Sequence, residues 1–443
     1  MFSNTSQRSS LILKNIVASF VVKGWSAVVV LLMVPLTLKM LGAYNNGVWL
    51  TISGILIWID FMDIGLGNGL RNTVAQYVAI GDDEKARRAV SSTFFILTLI
   101  IIPMLLLFCA LVQLLNMHSI LGVSPTVVPN LNAILIVALV MTSVTFILKA
   151  IGNLYMGLQL PAVSNLIMCL GQTLSLIVTF TAYMLGCRSL LYVVLINTLS
   201  PLIVWTASFP YTFCHRYPQY RPSMKLVDRE IARLLCSQGI KFFVLQIFSV
   251  VLFASVNVII SKLFSPSEVT PYQIAYRYFS LVLVLFNIIS IPFWNATTDA
   301  YSRGDIAWIR NASRRLDLVV GASLLGLAAM VLVSPLVYSM WIGDEVQIPM
   351  SLSAAMAAYI FVLVVSLRYS YILNGVNALR IQLIFTIFAT VAFIPLSWYA
   401  GQTFRSVTAI VWVMCLINVP GMIANAWKYY QIFYTNEKRV DKM

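Results

Sequence analysis

Five basic residues lie inside apolar stretches that are long enough to cross a membrane. The five are Lys23, Lys149, Lys241, Arg277 and Arg368. A charge at the centre of a bilayer costs at least ~2.5–3.5 kcal/mol, so it persists where it faces water, a partner or a ligand. All five charges are positive, which favours an anionic ligand over ion pairs within the protein. Because ammonium and guanidinium groups bind phosphate oxygens, the pattern predicts a site for a phosphorylated headgroup.

A structural alternative stays open for Lys23 and Lys149. Both are predicted to lie in the inner halves of their helices, and a lysine at that depth can lift its ammonium group into the lipid headgroups. A buried guanidinium group usually needs a fixed partner, so this alternative is weaker for Arg277 and Arg368.

Two acidic residues, Asp60 and Asp63, stand three positions apart in the second apolar stretch and so share one helix face. One interpretation is a gate that pairs with a buried cation, or a proton-accepting site that couples transport to the proton gradient. The other interpretation is a structural cap at the inner end of the helix.

The residue types that serve catalysis or metal binding form no pattern in this sequence. The two histidines, His118 and His215, are predicted to lie on opposite sides of the membrane, and the six cysteines show no paired or metal-like spacing. We therefore predict no catalytic residue, no metal, no cofactor and no enzyme activity.

The composition excludes a soluble globular protein. Of the 443 residues, 60% are hydrophobic and 10% are charged, and the mean hydropathy is +0.89. Soluble domains have roughly 45–50% apolar and about 25% charged residues. The net charge of +14 is typical of membrane topology rather than of nucleic-acid binding, so the expected surroundings are membrane lipids and no nucleic acid.

Stretches of about 20 mostly apolar residues are long enough to span a bilayer as helices. The sequence contains twelve such stretches, which predicts an all-α polytopic membrane protein with about twelve transmembrane helices. They fall near residues 16–41, 48–70, 92–115, 131–156, 162–185, 190–213, 235–263, 272–297, 317–340, 352–374, 380–398 and 407–428.

The basic residues of the connecting segments predict the orientation. Twenty of the 29 Lys and Arg residues fall on one side of the predicted membrane, whereas the other side holds Lys39, Arg188, Lys262 and Arg405. Cytoplasmic connections carry the excess of basic residues in membrane proteins. Both termini are therefore predicted to be cytoplasmic.

An internal repeat predicts the architecture. After the second span Asn72 precedes Gly81-Asp82 and Arg87, and after the eighth span Asn295 precedes Gly304-Asp305 and Arg310 at the same spacing. Two six-helix halves in the same orientation follow from this match. The predicted domains are an N-terminal lobe at 1–214, a cytoplasmic linker at 215–230 and a C-terminal lobe at 231–443.

Four of the buried cations obey this repeat. Lys23 and Lys241 fall in the first helix of their halves, and Lys149 and Arg368 fall in the fourth. We therefore interpret them as the lining of a central cavity that opens first to the cytoplasm. Arg277 falls in the outer half of the eighth span.

Three segments carry a resemblance to a known family. Residues 41–49 (LGAYNNGVW), residues 63–72 (DIGLGNGLRN) and the Gly81-Asp82 connector resemble the Wzx-type polysaccharide or O-antigen repeat-unit flippases. These flippases belong to the multidrug/oligosaccharidyl-lipid/polysaccharide (MOP) exporter superfamily. Related lipid flippases place basic residues of their first helices in the cavity, which matches Lys23 and, by the repeat, Lys241. Drug-exporting relatives usually depend on an acid in helix 1, and this chain has none there.

The resemblance implies a MATE-like, V-shaped pair of six-helix bundles that alternates between inward-open and outward-open states. Its cargo would be an undecaprenyl-pyrophosphate-linked oligosaccharide, carried across the bacterial inner membrane for polysaccharide biosynthesis. A polysaccharide polymerase and a chain-length protein are the protein partners that the resemblance implies.

The working hypothesis is a flippase for an anionic, lipid-linked glycan precursor. The diphosphate would bind four of the cations, the glycan would fill the cavity and the polyprenyl tail would stay in lipid, while Arg277 would receive the headgroup as the outer gate opens. Three alternatives stay open: a cation-coupled multidrug antiporter of the same fold, a membrane-embedded glycan polymerase or ligase, and a scaffold for polysaccharide assembly.

Overall fold

The computed structural model describes residues 3–61, 66–233, 255–302, 304–343, 345–376, 378 and 380–435. Throughout these residues the regular elements are helices, which confirms the predicted all-α fold. Ten helices in this part of the chain are long and apolar enough to cross a membrane.

The chain forms two compact units, Met1–Val250 and Val251–Met443. The division falls between residues that the structure does not describe, and the predicted lobe and linker boundaries stay a prediction. The first unit contains α1 (Ser3–Phe61), α2 (Leu66–Ala79), α3 (Asp83–Leu114), α4 (Met117–Leu121), α5 (Leu131–Leu148), α6 (Ala150–Gly157), α7 (Pro161–Met184) and α8 (Leu190–Pro210). A π-helix at Tyr211–Arg216 and 3-10 helices at Pro218–Tyr220 and Met224–Leu226 follow.

The second unit repeats this plan of long helices. It contains α9 (255–263), then α10 (Pro266–Ser302), α11 (Ile306–Ile342), α12 (Met350–Gly375), α13 (Arg380–Phe404) and α14 (Val407–Tyr430). Like α8, α14 continues into a π-helix, at Gln431–Thr435.

The predicted first and second spans belong to one element, α1, which is interrupted at Gly42. The φ of 71° and ψ of 171° at this residue lie in a region that is essentially restricted to glycine. The interruption separates two apolar helical segments, so α1 accounts for two predicted spans. The second is shorter than predicted, because residues 66–70 belong to the separate helix α2.

Among the helices that begin earlier than the apolar pattern predicts, α3 and α11 share one cause. The starts of α3 and α11 precede residues 92 and 317, the predicted first residues of these spans. In each case an aspartate caps the first turn: Asp82 accepts a hydrogen bond from the Lys85 backbone N–H at 2.9 Å, and Asp305 accepts one from that of Trp308 at 2.9 Å. Hydropathy detects the lipid-facing part of a helix, whereas the cap determines where the helix starts.

The two connectors that the sequence predicts to be repeats fold in the same way. Gly81 has a φ of 76° and Gly304 a φ of 72°, a left-handed conformation that favours glycine. The backbone N–H of Asp82 donates to the Tyr77 carbonyl and that of Asp305 to the Ala300 carbonyl, both at 2.9 Å.

The segment after α8 packs against the start of α3. The Tyr220 hydroxyl donates to the Asp83 carboxylate at 2.6 Å, and Arg87 Nε donates to the Arg221 carbonyl at 2.9 Å. Burial, and then the hydrogen bond to Asp83, raise the pKa of Tyr220 to about 12, so this phenol stays a donor at neutral pH. The predicted linker is therefore fastened to the first unit.

Candidate substrate-binding residues

Three of the predicted site residues cannot be placed in a contact. Lys241 and Asp63 lie outside the described residues. Asp60 belongs to the last turn of α1. The gating or proton-coupling function of the two aspartates stays a prediction.

Lys23 lies on α1, and its side chain is exposed. It has no acidic partner among the residues that the structure describes. The neighbouring turn joins α1 to α7 by polar contacts: Trp25 Nε1 donates to Thr173 Oγ1 at 3.0 Å, and Ser26 Oγ donates to Gln172 Oε1. Lys23 thus stands beside a polar seam between two transmembrane helices.

Lys149 lies between α5 and α6 and lines a cavity of about 280 Å³. The polar groups on its wall include Asn153, Ser164 and Asn165. The half-buried Lys149 therefore lies at an open cavity of the first unit, whose wall combines these polar groups with apolar side chains such as Phe146 and Trp205. Neutral amides and a hydroxyl around one cation suit an oxygen-rich anionic ligand.

Close packing beside this cavity depends on a glycine. A Cβ added at Gly152 would lie 2.7 Å from Ser164 Oγ and 3.0 Å from Trp205 Cη2. Contacts this short do not occur between real side chains, so α6 approaches α7 and α8 only because residue 152 lacks a side chain.

Arg368 is the most deeply buried of the predicted site residues whose side chains the structure describes. Its relative exposure is 3%, and Nη2 lies 2.6 Å from Asp317 Oδ1 and 2.8 Å from Oδ2. The guanidinium carbon lies 4.0 Å from the centroid of the Tyr369 ring and 4.9 Å from that of Tyr429. The expectation that the buried cations lack internal ion pairs is therefore wrong for Arg368.

The ion pair uses only part of the guanidinium group. Nε and Nη1 of Arg368 are buried and have no hydrogen-bond partner among the described residues. A buried donor without a partner costs about 1–3 kcal/mol, more for a charged group. These two nitrogens can therefore donate to an added oxygen, such as that of a phosphate or a water.

An aromatic cluster that sequence reasoning missed surrounds this pair. The Arg310 guanidinium lies 4.7 Å from the Tyr434 ring centroid, and its Nε donates to the Phe433 carbonyl at 2.9 Å. The rings of Tyr429 and Phe433 lie 5.1 Å apart. Their spacing of four residues near the end of a helix was the available signal, because it places both rings on one face.

Arg277 lies on α10 and is half-buried. The adjoining residues Tyr278 and Phe279 are buried in the core of the second unit. No hydrogen bond joins the Arg277 guanidinium to any part of the chain that the structure describes.

The four predicted cations whose side chains the structure describes are divided between the two units. Lys23 and Lys149 belong to the first unit, and Arg277 and Arg368 belong to the second. Their joint action on one headgroup stays a prediction.

Comparison with known proteins defines the class of fold. No family model and no curated protein matches the chain. Among solved structures, an inward-facing multidrug resistance MATE family transporter of the MOP superfamily aligns with a TM-score of 0.77 and 15% identity, over 93% of this chain and 96% of that chain. An outward-facing transporter of the same description gives a TM-score of 0.60 and 17% identity, over 93% and 96%. A MATE in complex with MaL6 gives 0.61 and 16%, over 94% and 97%.

These likenesses span nearly the whole of each chain. The protein therefore has the fold of the MATE transporters, as the sequence predicts. At 15–17% identity the likeness concerns the fold and leaves the cargo open.

Proposed function

We propose that the chain is a membrane transporter that flips a polyprenyl-diphosphate-linked oligosaccharide from the inner to the outer leaflet of a bacterial inner membrane. The fold supports transport, and the buried Arg368 with the half-buried Lys149 supports an anionic cargo. The Wzx-type resemblance of residues 41–49 and 63–72 supports a glycan on that cargo.

The observation that carries the proposal is Arg368. Arg368 is only 3% exposed, and two of its guanidinium nitrogens have no hydrogen-bond partner among the described residues. A buried cation whose hydrogen-bond donors are only partly satisfied is costly to remove from water unless its function retains it. A diphosphate oxygen would satisfy these donors with charge-assisted hydrogen bonds.

In this proposal Asp317 and the phosphate of the cargo compete for the Arg368 guanidinium. The Asp317 side chain is 53% exposed, so it can turn towards water when a phosphate approaches Arg368. The exchange of one anion for another leaves the guanidinium paired throughout. Lys149 contributes a second cation, at its open cavity, and the remaining cations keep their predicted binding roles.

A multidrug antiporter of the same fold is the second candidate. The solved MATE structures include multidrug resistance transporters, and Asp317 with the Tyr369 and Tyr429 rings would suit an organic cation. In this chain, however, Arg368 already occupies that position. This occupancy favours the anionic cargo. The fold favours transport over a polymerase, a ligase or a scaffold.

The test is flipping of a fluorescent polyprenyl-diphosphate oligosaccharide by the full chain in proteoliposomes. We expect Arg368→Ala to lower the flipping rate by about tenfold or more, the equivalent of one lost charge-assisted hydrogen bond. Lys149→Ala should lower it several-fold. Arg314→Ala is the matched control, because Arg314 is an exposed arginine of α11, and it should leave the rate unchanged.

Two outcomes would contradict the proposal. Normal flipping by both Arg368→Ala and Lys149→Ala would remove the cations from the binding site. If neither the wild type nor the variants flip the lipid, and the wild type takes up a tetraphenylphosphonium probe, the antiporter is favoured.

A further inference from the structure

The first unit carries an apolar groove that the proposed transport does not use. Its volume is about 360 Å³. The floor is the face of α3 from Ser91 to Pro103, where Leu99 and Ile102 are exposed. The roof is Pro222, Ser223 and Met224 from the segment after α8.

The length of the groove matches one membrane leaflet. Ser91 and Pro103 are twelve residues apart on α3, which corresponds to about 18 Å along the helix axis. Half of a hydrocarbon core of about 30 Å is about 15 Å. An acyl chain that spans one leaflet therefore has about the length of the groove.

The roof is held in place by hydrogen bonds rather than by loose contact. The backbone N–H of Ser223 donates to Ser91 Oγ at 3.1 Å, and that of Asp228 donates to Ser92 Oγ at 3.0 Å. The groove is thus bounded by a segment that is hydrogen-bonded to this end of α3.

The mouth of the groove is positively charged. Arg221 and Lys225 flank the roof, are exposed, and have no acidic partner among the described residues. Three of the nearby acids already have partners. Asp83 accepts from Tyr220, and Glu84 and Asp228 pair with Arg88 at 2.6 Å and 3.5 Å.

We propose that this groove binds one acyl chain of an anionic phospholipid, with the lipid phosphate against Arg221 and Lys225. The chain length suits a lipid of a single leaflet, and the two cations select the negative headgroup. Such a lipid would fasten the segment that follows α8 to α3. The proposal does not depend on the cargo of the transporter.

The test uses the full chain in nanodiscs of equal parts phosphatidylglycerol and phosphatidylcholine. Ile102 is replaced by photoreactive p-benzoyl-phenylalanine, and in a second sample Leu325 is replaced instead. The two positions are matched, because each lies 20 residues after the capping aspartate of its helix, and both are exposed, by 47% and 73%. The lipid adducts are identified by mass spectrometry.

We expect adducts at position 102 to be enriched about tenfold in phosphatidylglycerol, while adducts at position 325 follow the bulk ratio. Arg221→Glu with Lys225→Glu should abolish the enrichment. Arg314→Glu with Arg315→Glu makes the same change in net charge on exposed residues of α11 and should preserve it.

Equal lipid ratios at the two positions would overturn the proposal, because the lipid would then be an ordinary annular one. Retained enrichment in the Arg221→Glu, Lys225→Glu variant would overturn the assignment of the headgroup. Displacement of phosphatidylglycerol from position 102 by a few per cent of polyprenyl phosphate would overturn it in favour of cargo docking. None of these outcomes depends on the flipping assay, so the two proposals fail separately.

Discussion

At the end that carries the Gly-Asp connector, the two halves have the same set of hydrogen bonds, which forms a shared frame. In each half, an arginine five residues after the capping aspartate donates to a carbonyl beyond the last helix. Arg87 Nε donates to the Arg221 carbonyl and Arg310 Nε donates to the Phe433 carbonyl, both at 2.9 Å. These contacts tie the chain after the sixth span of each half to its third span.

Inside this frame the two halves differ. Twelve residues after the capping aspartate the first half has Phe94 and the second has Asp317. Phe94 packs at 6.0 Å against both Phe209 and Phe213. Asp317 instead pairs with the buried Arg368.

This difference distinguishes the residues that hold the helix ends from the residues that form a charged cluster. The repeated glycine, aspartate and arginine residues hold the helix ends in both halves, and they need no ligand to explain them. The charged cluster occurs in the second half, where the first half has an apolar aromatic cluster. A repeated position that changes from phenylalanine to aspartate is therefore a better guide to function than the repeat itself.

The largest expected effect comes from making the first half resemble the second. Phe94→Asp would place a carboxylate without a guanidinium partner among aromatic rings, and we expect a loss of about 2–4 kcal/mol of stability. Phe94→Leu is the control and should cost less. Thermal unfolding of the purified protein measures the stability of both variants. Equal stability of the two variants would mean that water reaches the aromatic cluster.

A smaller loss of stability, similar in the two halves, is expected from substitutions in the connectors. Gly81→Ala and Gly304→Ala should each destabilise the protein by about 1–2 kcal/mol, because both residues have a positive φ. Gly321→Ala, inside α11 with no atom within 4 Å of the added Cβ, should be neutral or stabilising. Markedly unequal losses at residues 81 and 304 would contradict a shared frame.

The smallest expected effect is a loss of stability at acidic pH. The backbone N–H of Lys85, and then its ammonium group, hold the pKa of Asp82 below 3.8. Its stabilisation is therefore present above about pH 3.8 and is lost as the pH falls through the lower folded-state value. Thermal unfolding between pH 5 and pH 2 should show this loss in the wild type and a weaker one in Asp82→Asn. If the unfolding temperature depends on pH in the same way in both proteins, the charge of Asp82 does not contribute to stability.

Much of the fold could be predicted from the sequence, because membrane helices are long apolar stretches and the Gly-Asp repeat is local. The interruption at Gly42 was harder to predict, since the apolar pattern continues on both sides of it. The early starts of α3 and α11 depend on Asp82 and Asp305 as caps, which hydropathy does not register.

The candidate site was less predictable. Burial of Arg368 followed from the apolar pattern, but its partner Asp317 is 51 residues away and lies near a predicted helix end. Pairing across helices depends on which faces meet, and spacing along one helix does not encode this. The contact of the predicted linker with α3 was missed for the same reason.

The length of α11 has a consequence for what the protein presents to water. Its 37 residues measure about 55 Å, whereas the hydrocarbon core is about 30 Å thick. The helix is therefore several turns longer than the core is thick, and the exposed Arg314 and Arg315 lie just before the predicted span at 317–340. Because Ile309 and Leu316 on the same turns are buried, these two arginines give this end of α11 a positively charged outer face on a packed helix.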